Sequence, residues 1–191
     1  IPGAGRSQSK IDSLQDRLRL EAVDSSRVKT LLALVDAYRY EDPSKADENI
    51  NSAISLASSI PDKRYEVMTL NSFADLLDDR ASNDSAIVFY QKALTIAEKI
   101  GFDDGKSTAL LGLGNAHTRK GNLDKGEEYL QRNIAFAREI EDFEGVASSY
   151  NNLGNIYNEQ GEYKKAMEAY TEGAKINTQI GNEKNAGINM A

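Results

Sequence analysis

The stretch SSYNNLGNIYNEQGEYKKAMEAYTEGAKINTQIG, residues 148–181, decides the fold of this chain. Its apolar and small residues recur at intervals of three and four, first over 150–157 and again over 166–174. This spacing is typical of the buried face of an α-helix. Between the two runs, Gly161 can adopt the left-handed conformation that ends many helices. The stretch therefore predicts two helices joined by a tight turn.

The same pattern recurs along the chain with a period of 40 residues. The positions that share this period are small, aromatic or branched residues, namely Ala74, Gly114 and Gly154; Ala81, Gly121 and Gly161; Tyr90, Leu130 and Tyr170; and Ile100, Ile140 and Ile180. An earlier copy contains Ala46, Ala53 and Ile60, with a loop that is one residue shorter. A single helix pair cannot bury its apolar face, so successive pairs are expected to stack.

The sequence therefore predicts an all-α protein, an α-solenoid of about four antiparallel helix pairs with an amino-terminal capping helix. No sustained alternation of period two indicates a strand. The predicted divisions are a disordered or expression-derived end at 1–8, the capping helix at 9–23, repeat units at 27–60, 64–100, 104–140 and 144–180, and the start of a truncated fifth unit at 184–191. Both chain ends suggest a piece of a longer protein.

The fourth unit resembles the tetratricopeptide repeat (TPR) signature at Leu153, Gly154, Tyr157, Gly161, Ala166 and Tyr170. The resemblance covers roughly residues 27–190 and is weakest in the first unit. It departs from the pattern at His117, where Tyr is expected, and at Gly126, Asn133 and Gly173. The resemblance implies a right-handed superhelix whose concave groove binds a protein or peptide.

A second resemblance concerns residues 9–57, which begin SKIDSL and continue through RVKTLLAL to a Tyr-x-x-Asp-Pro-x-x-Ala motif. This region is similar to the amino-terminal sensor region of bacterial TPR-containing sensor histidine kinases. Related bacterial proteins carry similar repeats on helix-turn-helix regulators. In the kinases the repeats precede a membrane helix and a cytoplasmic kinase. The resemblance implies a periplasmic location if the chain belongs to a membrane sensor, and otherwise a cytoplasmic one.

Composition excludes several kinds of chemistry. The chain has no cysteine, which excludes disulfides, thiol catalysis and cysteine-bound zinc. Its net charge of −7 argues against direct nucleic-acid binding, and no apolar run is long enough for membrane contact. The single histidine, His117, occupies a packing position, and the acidic pairs 78–79 and 103–104 lack EF-hand spacing. We therefore expect no catalytic residue, metal or cofactor in this fragment, although a kinase domain could lie outside it.

Asparagines in matched columns, that is, at equivalent positions of successive repeat units, form the candidate binding site. The TPR resemblance implies that the first helix of each unit lines the concave groove. The predicted groove residues are Asn71, Asp75, Asn115, Arg119, Asn151, Asn155 and Asn158. An asparagine side chain can donate and accept hydrogen bonds at once, which suits an extended peptide backbone. The alternative interpretation is that these are ordinary exposed helix residues.

The leading hypothesis is a protein- or peptide-binding module that acts as the sensing region of a bacterial signalling protein of the histidine kinase type. The alternative is a stand-alone TPR scaffold or co-chaperone-like adaptor without signalling output. An enzyme would need catalytic groups from another domain. A homodimer through the exposed carboxy-terminal unit also stays open.

Overall fold

Helices account for all the regular secondary structure in the part of the chain that the structure describes. The computed structural model describes residues 4–21 and 25–181. Within these ranges the helices are α1 (Ala4–Leu20), α2 (Ser25–Tyr38), α3 (Pro43–Ser59), α4 (Arg64–Asp79), α5 (Asn83–Ile100), α6 (Asp103–Arg119), α7 (Leu123–Glu139), α8 (Phe143–Glu159) and α9 (Tyr163–Gln179). The predicted all-α solenoid is confirmed. Over the same ranges, no helix is both long and apolar enough to cross a lipid bilayer.

Helices α2 to α9 form four antiparallel pairs. We call the first helix of each pair an A helix (α2, α4, α6, α8) and the second a B helix (α3, α5, α7, α9). Each B helix before the last packs against the A helices on both sides of it, and neighbouring A helices also contact each other. Neighbouring B helices make no comparable contact among the described residues. The array is therefore curved, with the A helices on its concave face.

Tight turns of one repeated geometry connect the helices within the second, third and fourth pairs. Gly121 and Gly161 follow their A helices with φ angles of 83° and 76°, which lie in the left-handed region. At the equivalent position the second pair has Ala81, which adopts a φ of 57° without being glycine. Side chains also cap some helices: Asp142 accepts a hydrogen bond of 2.8 Å from the Gly145 amide at the start of α8.

Glycines permit large side chains to lie directly against a helix backbone. A Cβ atom added to Gly154 would overlap the ring of Tyr170 in the same pair. A Cβ atom added to Gly112 would overlap the ring of Tyr90, which belongs to the preceding pair. The tyrosine at this position of a B helix thus packs on an A helix, either of its own pair or of the next pair. These contacts hold the stack together.

Helix α1 covers the first pair but differs from its predicted bounds. It begins at Ala4, so residues 4–8 are helical rather than disordered, and it ends at Leu20 rather than at residue 23. Its buried Ile11 packs against the first pair, and the Gln15 side-chain amide donates a hydrogen bond of 2.6 Å to the Tyr38 hydroxyl. The predicted fifth unit at 184–191 lies outside the described residues.

Candidate functional site

Two grooves lie on the concave face. The amino-terminal groove encloses about 610 Å³ between α2, α4 and α6, and its lining includes Asn71 and Asp75. The carboxy-terminal groove encloses about 370 Å³ between α6 and α8. It is lined mainly by amide and charged side chains, including Asn115, Arg119, Asn152, Asn155 and Asn158. Six of the seven predicted site residues thus line one of the two grooves.

Hydrogen bonds hold the amides of the carboxy-terminal groove. The Asn152 side-chain amide on α8 donates a bond of 2.7 Å to Oδ1 of Asn115 on α6. The Tyr170 hydroxyl on α9 donates a bond of 2.7 Å to Oδ1 of Asn155. Each bond occupies one side of an amide, and the remaining donors and acceptors are available to a ligand. Asn115, Asn152 and Asn155 are therefore oriented amides rather than freely rotating ones.

Asn151 does not join the other predicted amides. Its Oδ1 lies against Gly173 of α9, close enough that a Cβ atom on this glycine would collide with it. The prediction that Asn151 shares a groove face with Asn155 was wrong, and Asn152 lies there instead. On an α-helix, residues three apart share a face, so Asn152, Asn155 and Asn158 form one row. This spacing was a signal in the sequence that could have identified Asn152.

An equivalent tyrosine contact occurs in the amino-terminal groove. The Tyr90 hydroxyl donates a hydrogen bond to Asp75, as Tyr170 does to Asn155. Burial raises the pKa of Asp75, although the bond from Tyr90 and the charge of Arg39 act in the opposite direction. Burial and the neighbouring Asp75 also raise the pKa of Tyr90. The aspartate occupies the column in which the later repeats have asparagine.

Charged side chains link the ends of successive A helices. Arg39 contacts Asp36 at 2.8 Å and Asp79 at 3.0 Å. Arg119 pairs with Asp78, whose side chain is only 2% exposed and whose pKa is raised by burial against the effect of Arg119. Both arginines are therefore engaged by carboxylates of the protein itself. Arg119, a predicted groove residue, contributes to the groove while also bridging α4 and α6.

His117 packs inside the array. Its ring stacks on Tyr129 with the ring centroids 5.5 Å apart and an interplanar angle of 7°. Burial lowers its pKa, and Lys125 and Lys120 lower it further. Within 4–21 and 25–181, no group of three or more His, Cys, Asp or Glu residues is arranged to hold a metal ion. The position is thus one of packing, as its place in the repeat predicted.

Comparisons with known proteins agree with this architecture. Residues 106–179 match the tetratricopeptide repeat family model. Response regulator aspartate phosphatase A of Bacillus subtilis is 29% identical over 106 residues, covering 56% of this chain and 28% of the relative. The chain spans less than a third of the length of the curated relatives it matches. A further relative, phosphatase E of the same organism, is 28% identical over 51% of this chain and 26% of its own.

Two solved structures have the same fold over nearly the whole chain. A Rap protein complexed with Competence and Sporulation Factor has a TM-score of 0.79 at 19% identity, covering 94% of this chain and 52% of its own. A signal transduction ATPase with a tetratricopeptide repeat sensor, from Pyrococcus horikoshii, has a TM-score of 0.78 at 23% identity, covering 98% and 29%. At these identities the likeness shows the fold alone. The predicted likeness to sensor histidine kinases stays a prediction.

Proposed function

We propose, taking this chain as a TPR solenoid that serves as a protein-binding module, that its concave face binds an extended peptide or protein segment. The observation that carries the proposal is the row of oriented amides in the carboxy-terminal groove. The side-chain oxygens of Asn115 and Asn155 each accept a hydrogen bond from a neighbouring side chain, so the two amides are oriented before a ligand binds. Such preorganisation lowers the entropic cost of binding.

The amide chemistry favours the backbone of a ligand over one particular side chain. Peptide N–H and C=O groups alternate along an extended segment, and an asparagine amide can pair with both. Asn155 and Asn158 are exposed on the groove side of α8, and Arg119 adds a charged donor opposite them. The groove can therefore hold the backbone of an extended segment at several successive points.

We further propose that the module is the sensing part of a larger bacterial signalling protein, of the histidine kinase type. The support is the sequence resemblance of residues 9–57, together with relatives and structures named as response regulator phosphatases, a Rap protein with a bound factor and a TPR sensor. A ligand that prefers one curvature of the array would shift its population towards that curvature. The fragment itself supplies recognition, and an effector elsewhere in the protein supplies the output.

The second candidate function is a scaffold or adaptor that binds its partner constitutively. The paired charges that link the A helices favour it, because Arg39 and Arg119 already bridge neighbouring units without a ligand. Small-angle X-ray scattering with and without a saturating peptide separates the two. A change in the radius of gyration supports sensing, and an unchanged profile supports the scaffold. A homodimer through the carboxy-terminal unit remains a proposal that sedimentation would test.

The groove itself is tested by peptide selection and titration. A randomised hexapeptide library is panned against the immobilised protein, and one selected peptide is titrated by fluorescence anisotropy. We expect the double variant Asn115→Ala, Asn155→Ala to bind it at least about tenfold more weakly, since it loses several hydrogen bonds. Asn49→Ala on the B helix α3 is the matched control and should bind like the parent protein. Equal affinity of the double variant and the control would refute the groove as the binding site.

A further inference from the structure

The amino-terminal groove contains a buried hydrogen-bond acceptor that has no partner. The Asn71 side-chain amide donates a bond of 3.0 Å to the carbonyl oxygen of Gly105 on α6. A carbonyl can only accept, so this bond fixes which side of the amide carries oxygen. Asn71 is only 4% exposed, and its Oδ1 has no hydrogen-bond partner among the described residues. A buried acceptor without a partner costs about 1–3 kcal/mol, which a donor from a ligand would offset.

Carboxylates surround the same space. Asp36, Asp75 and Asp104 line the groove together with Asn71. Arg39 contacts Asp36 at 2.8 Å but lies 3.9 Å from Asp75, and it also holds Asp79, so one guanidinium serves three carboxylates. The groove is therefore richer in acceptors than in donors.

The two basic residues that line the groove, Arg64 and Lys29, do not supply the missing hydrogen-bond donors. Arg64 is held by Asp62 through bonds of 2.6–3.0 Å. Lys29 lies with its ammonium group 5.9 Å from the centre of the Tyr65 ring, on the side of α2. The Asp62–Arg64 pair is neutral in this count. The positive charges of Lys29 and Arg39 then face the negative charges of Asp36, Asp75, Asp79 and Asp104, which leaves an excess of negative charge. A positively charged ligand group would meet an attractive potential here.

Apolar side chains form the walls beside these acceptors. Leu32, Tyr65, Met68 and Phe102 line the groove with the polar group. Long basic side chains bury their methylene stems against apolar surface while the charged head meets polar partners. The groove offers both surfaces, and this combination matches a lysine or arginine side chain better than a free inorganic cation.

We infer that the amino-terminal groove is a subsite for a cationic side chain, an ammonium or guanidinium group on an alkyl stem, of the bound segment. The inference rests on the proposed function and adds to it the chemical class of one ligand residue. The head group donates to Asn71 Oδ1 and to the carboxylates of Asp36 and Asp75. The stem lies along Tyr65 and Met68. The carboxy-terminal groove then holds the backbone on one side of this anchor.

The test uses small probes that need no knowledge of the natural ligand. N-acetyl-arginine methylamide, N-acetyl-lysine methylamide and the neutral isosteres N-acetyl-citrulline and N-acetyl-norleucine methylamide are titrated into ¹⁵N-labelled protein. We expect the two cationic probes to shift the Asn71 side-chain amide and the Gly105 backbone amide in a saturable manner. Alanine methylamide tests the other source of an ammonium group, a peptide amino terminus. Equal shifts from charged and neutral probes, or none from any probe, would overturn the inference.

Variants then assign the contacts. Asp36→Asn should weaken binding of the arginine probe by about tenfold or more, the loss expected for one charge-assisted hydrogen bond. Asp36 has a side chain that is 61% exposed, so its replacement leaves folding intact. Asp124→Asn, an exposed aspartate on α7, is the matched control. Unchanged affinity of Asp36→Asn would count against the subsite.

The outcome separates the subsite from the proposed function. A peptide that binds through Asn115 and Asn155 with no preference for a basic residue would leave the groove function standing and refute the subsite. Loss of all peptide binding, with the cationic probes still shifting Asn71, would refute the peptide groove and leave a small-cation site.

Discussion

The hydroxyl of Tyr170 donates a hydrogen bond of 2.7 Å to Oδ1 of Asn155. The ring of this tyrosine packs on Gly154, so one side chain both fills the interior of the helix pair and orients a groove amide. Tyr90 makes the same connection to Asp75 two units earlier. Residues of the fold and residues of the groove are therefore directly coupled, and conservative changes can separate the two roles.

Replacing Tyr170 by Phe removes the hydroxyl and keeps the ring on Gly154. We expect a loss of about 0.5–1.5 kcal/mol in the free energy of unfolding, the usual net value of one hydrogen bond. Affinity for a groove-selected peptide should fall severalfold, because Asn155 is no longer oriented. Urea unfolding and peptide titration measure the two effects. Tyr163→Phe, at a residue 70% exposed, is the control, and an equal loss of affinity in both variants would contradict the coupling.

Two substitutions at equivalent turns should have opposite effects. Gly161 has a φ of 76°, so Gly161→Ala should lower the free energy of unfolding by about 1 kcal/mol. Ala81 already bears this strain at a φ of 57°, and Ala81→Gly should be stabilising by up to about 1 kcal/mol after the entropic cost of glycine. Chemical denaturation of both variants checks the signs. The same sign for both would show that the backbone conformation does not govern these turns.

Asp75→Asn should change the pH dependence of stability. Burial raises the pKa of Asp75 above its usual value of 3.8, so the folded state holds this proton more tightly than the unfolded state. The carboxylate therefore destabilises the fold above its raised pKa, and this cost disappears as the pH falls towards 3.8. Asparagine can keep the bond from Tyr90, as Asn155 keeps the bond from Tyr170. We expect the variant to be more stable at pH 7 by roughly 0.5 kcal/mol, because solvent screens the partly exposed side chain.

The measurement for Asp75→Asn is urea unfolding at several pH values between 3 and 7, with Asp124→Asn as the control. The advantage of the variant should shrink as the pH falls. A constant difference across this range would argue against a raised pKa at Asp75.

His117→Phe should improve stability under mildly acidic conditions. Burial lowers the pKa of His117 below its usual value of 6.5, so the unfolded state takes up the proton first. The stability linked to the neutral ring is complete above 6.5 and is lost as the pH falls through this value to the lowered pKa. Phenylalanine keeps a planar ring against Tyr129 and has no such loss. Thermal unfolding at pH 7 and pH 5 should show a larger benefit at pH 5, and a larger benefit at pH 7 would be the contrary result.

The sequence was sufficient for the fold because every repeat carries the same packing information. Ile100, Ile140 and Ile180 mark the period, and glycines opposite tyrosines mark the close contacts. A periodic pattern identifies which residues share a column. This assignment stays the same when the ends of a helix shift by a residue or two. The early start of α1 at Ala4 was missed because that segment has no repeat to be compared with.

The candidate site was predictable only in part. Asn115 and Asn155 share a column and do line one groove, but Asn151 turns towards the space that Gly173 leaves on α9. The side-chain pairing of Asp78 with Arg119 joins residues 41 apart through flexible rotamers, which no spacing rule specifies. Column position thus predicts the helix face, whereas individual contacts depend on the side chains of the neighbouring helix.

The direct contact between successive A helices also fixes a length scale for what the groove can recognise. Packed helices lie about 8–10 Å apart, and an extended chain advances about 3.3 Å per residue. One step from Asp75 to Asn115, or from Asn115 to Asn155, therefore corresponds to about three ligand residues. A segment of about seven residues is long enough to touch all three positions. Recognition by this array therefore requires that the spacing of the repeats match the spacing of residues along the extended ligand.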